Sequence, residues 1–331
     1  MIKLQITVKL LTAAVLFLVV RSTYAFDNNQ VSANGLAGVI GYLTAQKATL
    51  ELIKETYPEL KRDVQIAELE FEIRFPDTIN KTKNIIASIF PAETAALFQQ
   101  ISEKAKSTVE TTINKDTALQ FIKTVRQRAQ GSIEKPEFMR FLYAVSYYEK
   151  PIQELAITKP LRFSTKSEEK AKGVEVSLTL PMSWEERSGS TPNTVRTWKS
   201  EGGGGNALIS LLIQDNNDNR SKLDIARDIA SKKPGVLFPS NAKVSQIIPI
   251  EMSGQAGWLY KSELTMKRLD KEILMFSKSL NLLYNGKTVQ INCMRGGLTD
   301  EREVIAKDFN RIEPVCDFVF NSLVIDSFYK R

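Results

Sequence analysis

The stretch from residue 254 to residue 294 constrains the fold most, because apolar and polar residues alternate along three consecutive runs. In the first run, Trp258 and Tyr260 fall on one face, while lysine and glutamate residues fall on the other. A period of two is typical of strands with one buried face. Asn285 and Gly286 separate the last two runs and favour a two-residue hairpin turn. The stretch therefore predicts an antiparallel meander with one polar face in water and one apolar face covered by another element.

The residues on either side of the meander predict further strands and helices. Alternation begins at Val174, and the run 207–215 is apolar on both faces, as in a central strand. A capped helix is expected to begin at Ser221. After the meander, one helix is expected to continue to Ile312, and Pro314 is expected to start a second, short helix.

The region before these strands has a different period. Apolar residues recur at helical spacing across residues 30–155, beginning with Leu36, Val39 and Ile40. Short connections between about five such segments predict a helical bundle. We interpret the apolar stripes as the core of this bundle, with a groove for a peptide or a lipid as the alternative.

The N-terminal segment has the features of a secretory signal. Two lysines precede the apolar run Leu10–Val20, which is too short to span a bilayer comfortably. The small residue Ala25 precedes Phe26, so cleavage is expected between them, and an uncleaved membrane anchor is the alternative. The protein is therefore expected in the periplasm or outside the cell, with membrane attachment only through an uncleaved segment.

The sequence as a whole predicts an α+β protein with two domains, which a length of 331 residues also favours. The polar, charged residues 158–173 have no sustained apolar period and are interpreted as a linker. The predicted organisation comprises four parts: a signal peptide (1–25), a helical bundle (26–157), the linker (158–173) and an antiparallel sheet domain (174–331).

Two properties of the composition exclude several functions. The chain contains no histidine, so it has no Ser-His or Cys-His nucleophile pair and no histidine-ligated metal. The net charge of +7 includes three positive charges in the signal segment, and no dense basic run with interleaved aromatic residues is present. We therefore expect no nucleic-acid partner.

The two cysteines are expected to form a disulfide. Cys293 shares a strand face with Val289 and Ile291, and Cys316 shares a helical stripe with Val319. If the closing helix covers the meander, both thiols face one interface. An exported protein with two cysteines favours a bridge between them, which would contribute on the order of 3 kcal/mol. Two buried free thiols are the alternative.

Several other motifs are candidates for sites. Residues 215–226 match a calcium-binding loop at its first acidic and amide ligand positions. They lack the glycine and the final glutamate of such a loop, so a solvated loop is expected. The glycine run 202–205 lacks the following Lys-Ser/Thr of a phosphate loop, and a flexible hairpin loop is expected there, with a mobile contact loop as the alternative. The adjacent acids at 185–186 and 300–301 are interpreted as solvated. No catalytic, cofactor or metal site is predicted.

The three tryptophans are the remaining candidates for a ligand site. Trp184, Trp198 and Trp258 all fall within or beside predicted strands. We interpret them as core residues of the sheet, with a ligand cleft between sheet and helices as the alternative.

The order of elements after residue 172 resembles that of the PsbP-like superfamily, which includes photosystem extrinsic subunits, Ran-binding Mog proteins and DcrB-type envelope domains. The resemblance covers about residues 172–328 and rests on the element order, on "SGQAGW" and on "NGKTVQINC". It implies an antiparallel sheet with helices on both faces. It brings no shared set of catalytic residues, and the helical domain in front is unmatched.

These observations lead to an expected function without a named activity. The chain is interpreted as an exported, non-enzymatic envelope protein that acts as an interaction or accessory module of a larger complex with an envelope protein partner. A carboxylate-dependent hydrolase of an envelope polymer and a carrier of a small ligand or lipid are the alternatives.

Overall fold

The computed structural model describes residues 29–89, 94–107, 112–133, 135–231 and 237–329. The predicted signal segment, with Ala25 and Phe26, lies outside the described residues, so its cleavage stays a prediction. Within the described chain, a helical part extends to residue 157, and a sheet part follows it.

The helical part is built from amphipathic helices that bury their apolar stripes against each other. The side chain of Asn29 caps the first helix by accepting a hydrogen bond from the Ser32 backbone N–H, and this helix ends before Pro58. Leu36, Val39 and the other apolar residues of its stripe lie in the bundle core. The helices are α1 (Gln30–Thr56), α2 (Lys61–Arg74), α3 (Thr78–Ile89), α4 (Thr94–Ser107), α5 (Lys115–Ala129), α6 (Pro136–Ser146) and α7 (Ile152–Ile157).

The sheet part contains two antiparallel sheets. The strands are β1 (Leu161–Ser164), β2 (Val176–Leu180), β3 (Glu185–Ser188), β4 (Thr194–Lys199), β5 (Ala207–Asp215), β6 (Ala242–Met252), β7 (Gln255–Arg268), β8 (Lys271–Tyr284), β9 (Lys287–Leu298) and β10 (Val324–Ile325). The larger sheet has the order β3-β4-β5-β9-β8-β7-β6, and the smaller one has the order β1-β2-β10. The remaining helices are α8 (Lys222–Ala230), α9 (Arg302–Asn321) and α10 (Asp326–Tyr329).

The predicted meander corresponds to β7, β8 and β9, which pair consecutively and antiparallel. Asn285 and Gly286 both adopt positive φ angles, 48° and 70°, in the turn between β8 and β9. Such a turn matches the twist of the two strands that it joins. The period-two interpretation of this stretch is therefore confirmed.

Helices cover both faces of the large sheet, which confirms the predicted fold class. Helix α9 packs on one face, where Leu280 and Leu282 join the main core. Helix α8 packs on the other face, where its Ile225 meets Trp258 and Tyr260. The meander thus has no fully wet face, and the prediction of one polar face in water is wrong. Ser279 and Asn281 of β8, on the same face as Trp258 and Tyr260, are buried.

Two boundaries differ from those expected from the sequence. Helix α9 is one helix with Pro314 inside it, whereas a break was predicted there. Proline removes one helical hydrogen bond, and burial of the residues on either side holds the helix together. The segment interpreted as a linker contains β1, whose Phe163 pairs with Leu178 of β2 and joins the sheet core.

Candidate functional site

The glycine-rich turn after β4 forms the junction between the helical part and the sheet part. Residues 201–205 are buried, and α1 and α6 pack directly against the turn. The carbonyl of Gly204 accepts hydrogen bonds from the Asn29 side chain at 3.0 Å and from the Ser32 hydroxyl at 3.2 Å. The expectation of a flexible hairpin loop at this position is therefore wrong, because the turn is a buried contact between the two parts.

Glycine is required at position 202 for two independent reasons. Its φ angle is +64°, a left-handed conformation that other residues adopt only under strain. A Cβ atom there would also lie 2.8 Å from the ring of Phe141 on α6. The bundle and the sheet therefore approach each other at a point where a side chain does not fit.

A buried network of charges lies next to this turn. Arg311 on α9 contacts Glu201 at 2.8 Å and Asp308 at 2.7 Å, and it donates to the Tyr148 carbonyl at 2.6 Å. Asp308 in turn contacts Arg295 of β9 at 2.6 Å. Because Tyr148 belongs to the helical part, the network joins both parts of the protein through one guanidinium group.

Burial and mutual contact shift the pKa values of this network. Burial alone would lower the pKa of Arg311, but the carboxylates of Glu201 and Asp308 outweigh it, and the pKa lies above the usual value. Burial raises the pKa of Glu201, although Arg311 partly opposes this rise. The pairing with Arg311 supports an ionised Glu201 in the folded protein. We interpret the network as a structural link between the helical part and the sheet part.

A small polar cavity of about 10 Å³ borders the same network. Glu154 lines it from α7, and its carboxylate accepts a hydrogen bond from the Ser183 backbone N–H at 2.8 Å. Burial raises the pKa of Glu154 to about 7. A volume near 10 Å³ is close to the minimum for a single water molecule, so this cavity has no room for a substrate.

A much larger groove lies at the C-terminal end of α7, beside Thr158, and has a volume of about 420 Å³. Its walls come from the last turn of α2, the turn after α5, helix α6, the α7–β1 connection, β1 and the loop after β2. Volumes of this size are typical of small-molecule sites. The groove is lined by Arg74, Gln130, Gly131, Ser132, Met139, Tyr143, Thr158, Lys159, Pro160, Leu161, Arg162 and Met182.

The charges that line the groove all have the same sign. Arg74, Lys159 and Arg162 are its ionisable residues besides Tyr143, and no acidic residue lines it. None of the three cations forms an ion pair with any acid in the described part of the chain. An anion in the groove would therefore meet positive charge without competition from a neighbouring carboxylate.

The tryptophans singled out from the sequence lie in cores. Trp184 and Trp198 belong to the core between the large sheet and α9, and Trp258 belongs to the cluster under α8, where its indole N–H donates to the Leu237 carbonyl at 2.7 Å. Trp184 also borders the cavity of about 10 Å³, but none of the three lines the groove. The interpretation as core agrees with these positions, and the ligand-cleft alternative gains no support from the described residues.

Cys293 of β9 and Cys316 of α9 are joined by a disulfide. Their Cα atoms lie 5.8 Å apart, within the usual range for a bridge. Both residues are fully buried in the main core, where Val289 and Ile291 face the same helix. The bridge fixes α9 on the sheet and, through α9, fixes Arg311 at the junction.

Two of the remaining candidate motifs, the calcium-like loop and the acids at 185–186, form ion pairs near the surface. Asp215, at the start of the calcium-like loop, contacts Lys172 at 2.5 Å and Lys287 at 3.6 Å. Glu185 and Glu186 pair with arginines on neighbouring positions of the sheet. Within the described ranges, no group of three His, Cys, Asp or Glu side chains is placed to hold a metal ion, and no helix is long and apolar enough to cross a membrane.

Comparison with known proteins finds similarity at the level of structure alone. No protein-family model matches the chain, and no curated protein matches it. CyanoP, the PsbP protein of Synechocystis sp. PCC 6803, aligns with a TM-score of 0.32 and 12% identity over 50% of this chain and 92% of its own. LpqN of Mycobacterium tuberculosis, involved in cell envelope biogenesis, aligns with a TM-score of 0.31 and 9% identity over 53% of this chain and 96% of its own.

A third solved structure is PA94, a protein of unknown function from Pseudomonas aeruginosa, with a TM-score of 0.23 and 14% identity over 45% of this chain and 90% of its own. A PsbP protein is thus among the structures that this chain resembles over about half of its length, as expected from the sequence. TM-scores this low give no basis for transferring a ligand or an activity.

Neither the groove nor the buried charge network is predicted from the sequence. Both combine residues that lie far apart in the chain, such as Arg74 with Arg162 and Glu201 with Arg311. One signal was present in the sequence, since the run "TKPLRF" places Lys159 and Arg162 around a proline at the end of the helical region. From the sequence alone, that run is part of the predicted linker.

Proposed function

We propose that this protein is an exported, non-enzymatic binding protein of the cell envelope that holds its ligand in the groove between the helical part and β1. The observation that carries this proposal is the groove itself, with its volume of about 420 Å³ and its three cations without acidic partners. Export is supported by the signal-like segment 1–25 and by the disulfide, which is stable in oxidising compartments.

The positions of the buried acids support a role without catalysis. A glycoside hydrolase of the usual kind needs two carboxylates on opposite sides of a bound sugar. Glu154 and Glu201 do face one cavity, but its volume is about 10 Å³, and Glu201 is paired with Arg311. The groove, which is large enough for a ligand, is lined by no carboxylate. The hydrolase alternative therefore has no candidate site in the described residues.

A thermal-shift screen on the purified full chain tests this function without assuming a ligand class. The library holds fatty acids, phosphate monoesters, neutral detergents, sugars and peptides. Ser132→Trp fills the groove from the exposed turn after α5, and Lys166→Trp adds the same ring outside the groove. We expect at least one compound to raise the Tm of the wild type and of Lys166→Trp but not of Ser132→Trp. No stabilising compound, or equal stabilisation of both variants, would overturn the proposal.

A second candidate, an accessory module of a larger complex, is favoured by one surface feature. Helix α2 exposes Leu69 and Ile73, whose relative exposures are 61% and 67%, on the same face as Ile66. Contiguous apolar side chains on a surface often mark protein contacts. A photo-crosslinker at position 69 in the native host tests this candidate. One discrete adduct, lost in Ile73→Glu, would support it, and the absence of any adduct would remove it.

A further inference from the structure

We infer that the groove selects an amphiphile, a molecule with an anionic head group and an apolar chain. This inference rests on the proposed function and specifies its ligand class. It depends on four features: a fixed arginine, a glycine that leaves the arginine uncovered, a buried hydroxyl without a partner and an apolar wall.

The guanidinium of Arg74 is held in place by the protein. Its Nε donates to the Tyr143 hydroxyl at 3.3 Å, and its Nη1 donates to the Ile157 carbonyl. The group also lies 5.8 Å from the centre of the Tyr143 ring. No hydrogen bond from Nη2 is found among the described residues. A guanidinium with a fixed orientation and free N–H groups is suited to carboxylate or phosphate oxygens.

Gly131 keeps this guanidinium accessible. Its φ angle is +91°, and a Cβ at this position would lie 3.4 Å from both Arg74 Nη2 and the Tyr143 hydroxyl. The backbone therefore passes close to the arginine without covering it with a side chain. This arrangement leaves Nη2 at the wall of the groove, where a bound anion can reach it.

Thr158 provides an independent indication of a polar ligand. Its side chain lines the groove and is only 8% exposed, yet its hydroxyl has no hydrogen-bond partner in the described chain. Buried polar groups are nearly always paired with protein, water or ligand. The hydroxyl oxygen is itself covered, so the side chain must turn toward the groove before the hydroxyl can donate to an oxygen of an anionic head group. Lys159 is the next residue in the chain, so the hydroxyl donor of Thr158 and the positive charge of Lys159 lie at the same end of the α7–β1 connection.

One part of the groove wall is apolar and adaptable. Met139 of α6, Met182 after β2, Leu161 of β1 and Pro160 contribute to its wall. Methionine side chains are flexible and accommodate chains of different shape. A free inorganic anion would leave these side chains without a partner, and a sugar would leave the three cations unused. An anionic head on an apolar chain satisfies both parts of the wall.

Isothermal titration of the full chain with monomeric dodecyl phosphate, below its critical micelle concentration, tests this ligand class. Dodecyl maltoside has the same chain with a neutral head, and inorganic phosphate has the head without the chain. We expect dodecyl phosphate to bind at least about tenfold more tightly than dodecyl maltoside or inorganic phosphate. Dodecyl maltoside lacks the contacts of the anionic head group, and inorganic phosphate lacks those of the apolar chain. Vesicles of phosphatidylglycerol test whether the same chemistry is recognised at a membrane surface instead.

Two groove variants and a matched control identify the residues responsible. Lys159 and Arg162 are exposed and have no ion pair, so Lys159→Gln/Arg162→Gln should fold normally. We expect this variant to lose about tenfold in affinity for dodecyl phosphate and to show a weaker dependence on salt. Lys166→Gln, an equivalent exposed lysine outside the groove, should bind like the wild type. Ser132→Trp should lose binding altogether.

The outcomes separate this inference from the proposed function. If dodecyl phosphate and dodecyl maltoside bind equally and Ser132→Trp binds neither, the groove is a binding site but does not select an anionic head group. That result would overturn the inference and leave the proposed function standing. Equal affinities for inorganic phosphate and dodecyl phosphate would show that the apolar chain of the ligand is not recognised, and would also overturn the inference. Binding to anionic vesicles without binding of monomeric dodecyl phosphate would indicate a membrane surface and overturn the inference. No binding of any probe would count against both proposals.

Discussion

The backbone N–H of Ser183 donates to the carboxylate of Glu154 at 2.8 Å and so joins α7 to the loop that follows β2. Glu154 is only 1% exposed, and no cation pairs with it within the described residues. Because burial penalises the charged form, the pKa of this carboxyl is raised to about 7. The junction of the two parts therefore contains an acid that is easier to protonate in the folded protein than in the unfolded one.

We predict that Glu154 makes the protein more stable at low pH than at high pH over one defined range. Its folded pKa of about 7 lies above its ordinary value of 4.5. Its stabilising contribution is therefore fully present below pH 4.5 and is lost as the pH rises through 7. A shift of this size corresponds to about 3 kcal/mol. Urea denaturation at a series of pH values measures the free energy of unfolding.

Glu154→Gln is the control for this effect, because glutamine resembles the protonated acid and does not titrate. We expect the variant and the wild type to be nearly equal in stability at pH 4.5, and the variant to be more stable at pH 8. A constant difference between them across this pH range would show that Glu154 has an ordinary pKa.

The buried charge network predicts a large cost for removing its central guanidinium. Arg311→Gln would leave Glu201 and Asp308 buried without their shared cation. Loss of one partner from a buried ion pair costs about 3–5 kcal/mol. Arg302→Gln is the matched control, since Arg302 pairs with Glu263 on the surface and is 52% exposed. We expect it to change the free energy of unfolding by less than about 1 kcal/mol. Similar losses in both variants would contradict the account.

The close contact at Gly202 predicts that alanine is poorly tolerated there. Gly202→Ala combines a positive φ angle with a clash against the Phe141 ring. Gly173 also has a positive φ angle, +78°, but nothing lies within 4 Å of its missing Cβ. Gly173→Ala should cost only the backbone strain of about 1–2 kcal/mol. Gly202→Ala should cost about 1–3 kcal/mol more, through overpacking. Equal costs in urea denaturation would mean that the junction can open to admit a methyl group.

The disulfide predicts a measurable dependence of stability on redox conditions. Cys293→Ala/Cys316→Ala removes a bridge that closes a loop with a sequence separation of 23. We expect a loss of about 3 kcal/mol in the free energy of unfolding. A reductant should lower the urea midpoint of the wild type and leave that of the double variant unchanged. A wild type that unfolds identically with and without reductant would show that the bridge does not form.

The parts of the fold that follow from local periodicity were predictable from the sequence. The alternation after Gly257 and the Asn285-Gly286 pair identified the meander and its turn, and the shared face of Val289 and Cys293 indicated the bridge to the closing helix. These features depend on residues close together in the chain. The burial of Ser279 and Asn281 on β8 was not predictable in this way, because the apolar cluster on that face includes Ile225 of α8, which lies far earlier in the chain.

The candidate site was not predictable, because no single segment contains it. Arg74 reaches the groove at the end of α2, Gly131 after α5 and Arg162 on β1, and only tertiary packing brings them together. Each residue alone resembles an ordinary helix end, turn or exposed strand position. The glycine run at 202–205 was misjudged for the same reason, since its burial comes from α1 and α6.

The central claim is that the groove beside Arg74 binds an anionic amphiphile, and a crystal structure of the complex with dodecyl phosphate tests it most directly. We predict electron density for the phosphate within hydrogen-bond distance of Arg74 and Thr158, with the alkyl chain against Met139 and Met182. Density for the ligand at another position, with an empty groove at saturating dodecyl phosphate, would contradict the claim.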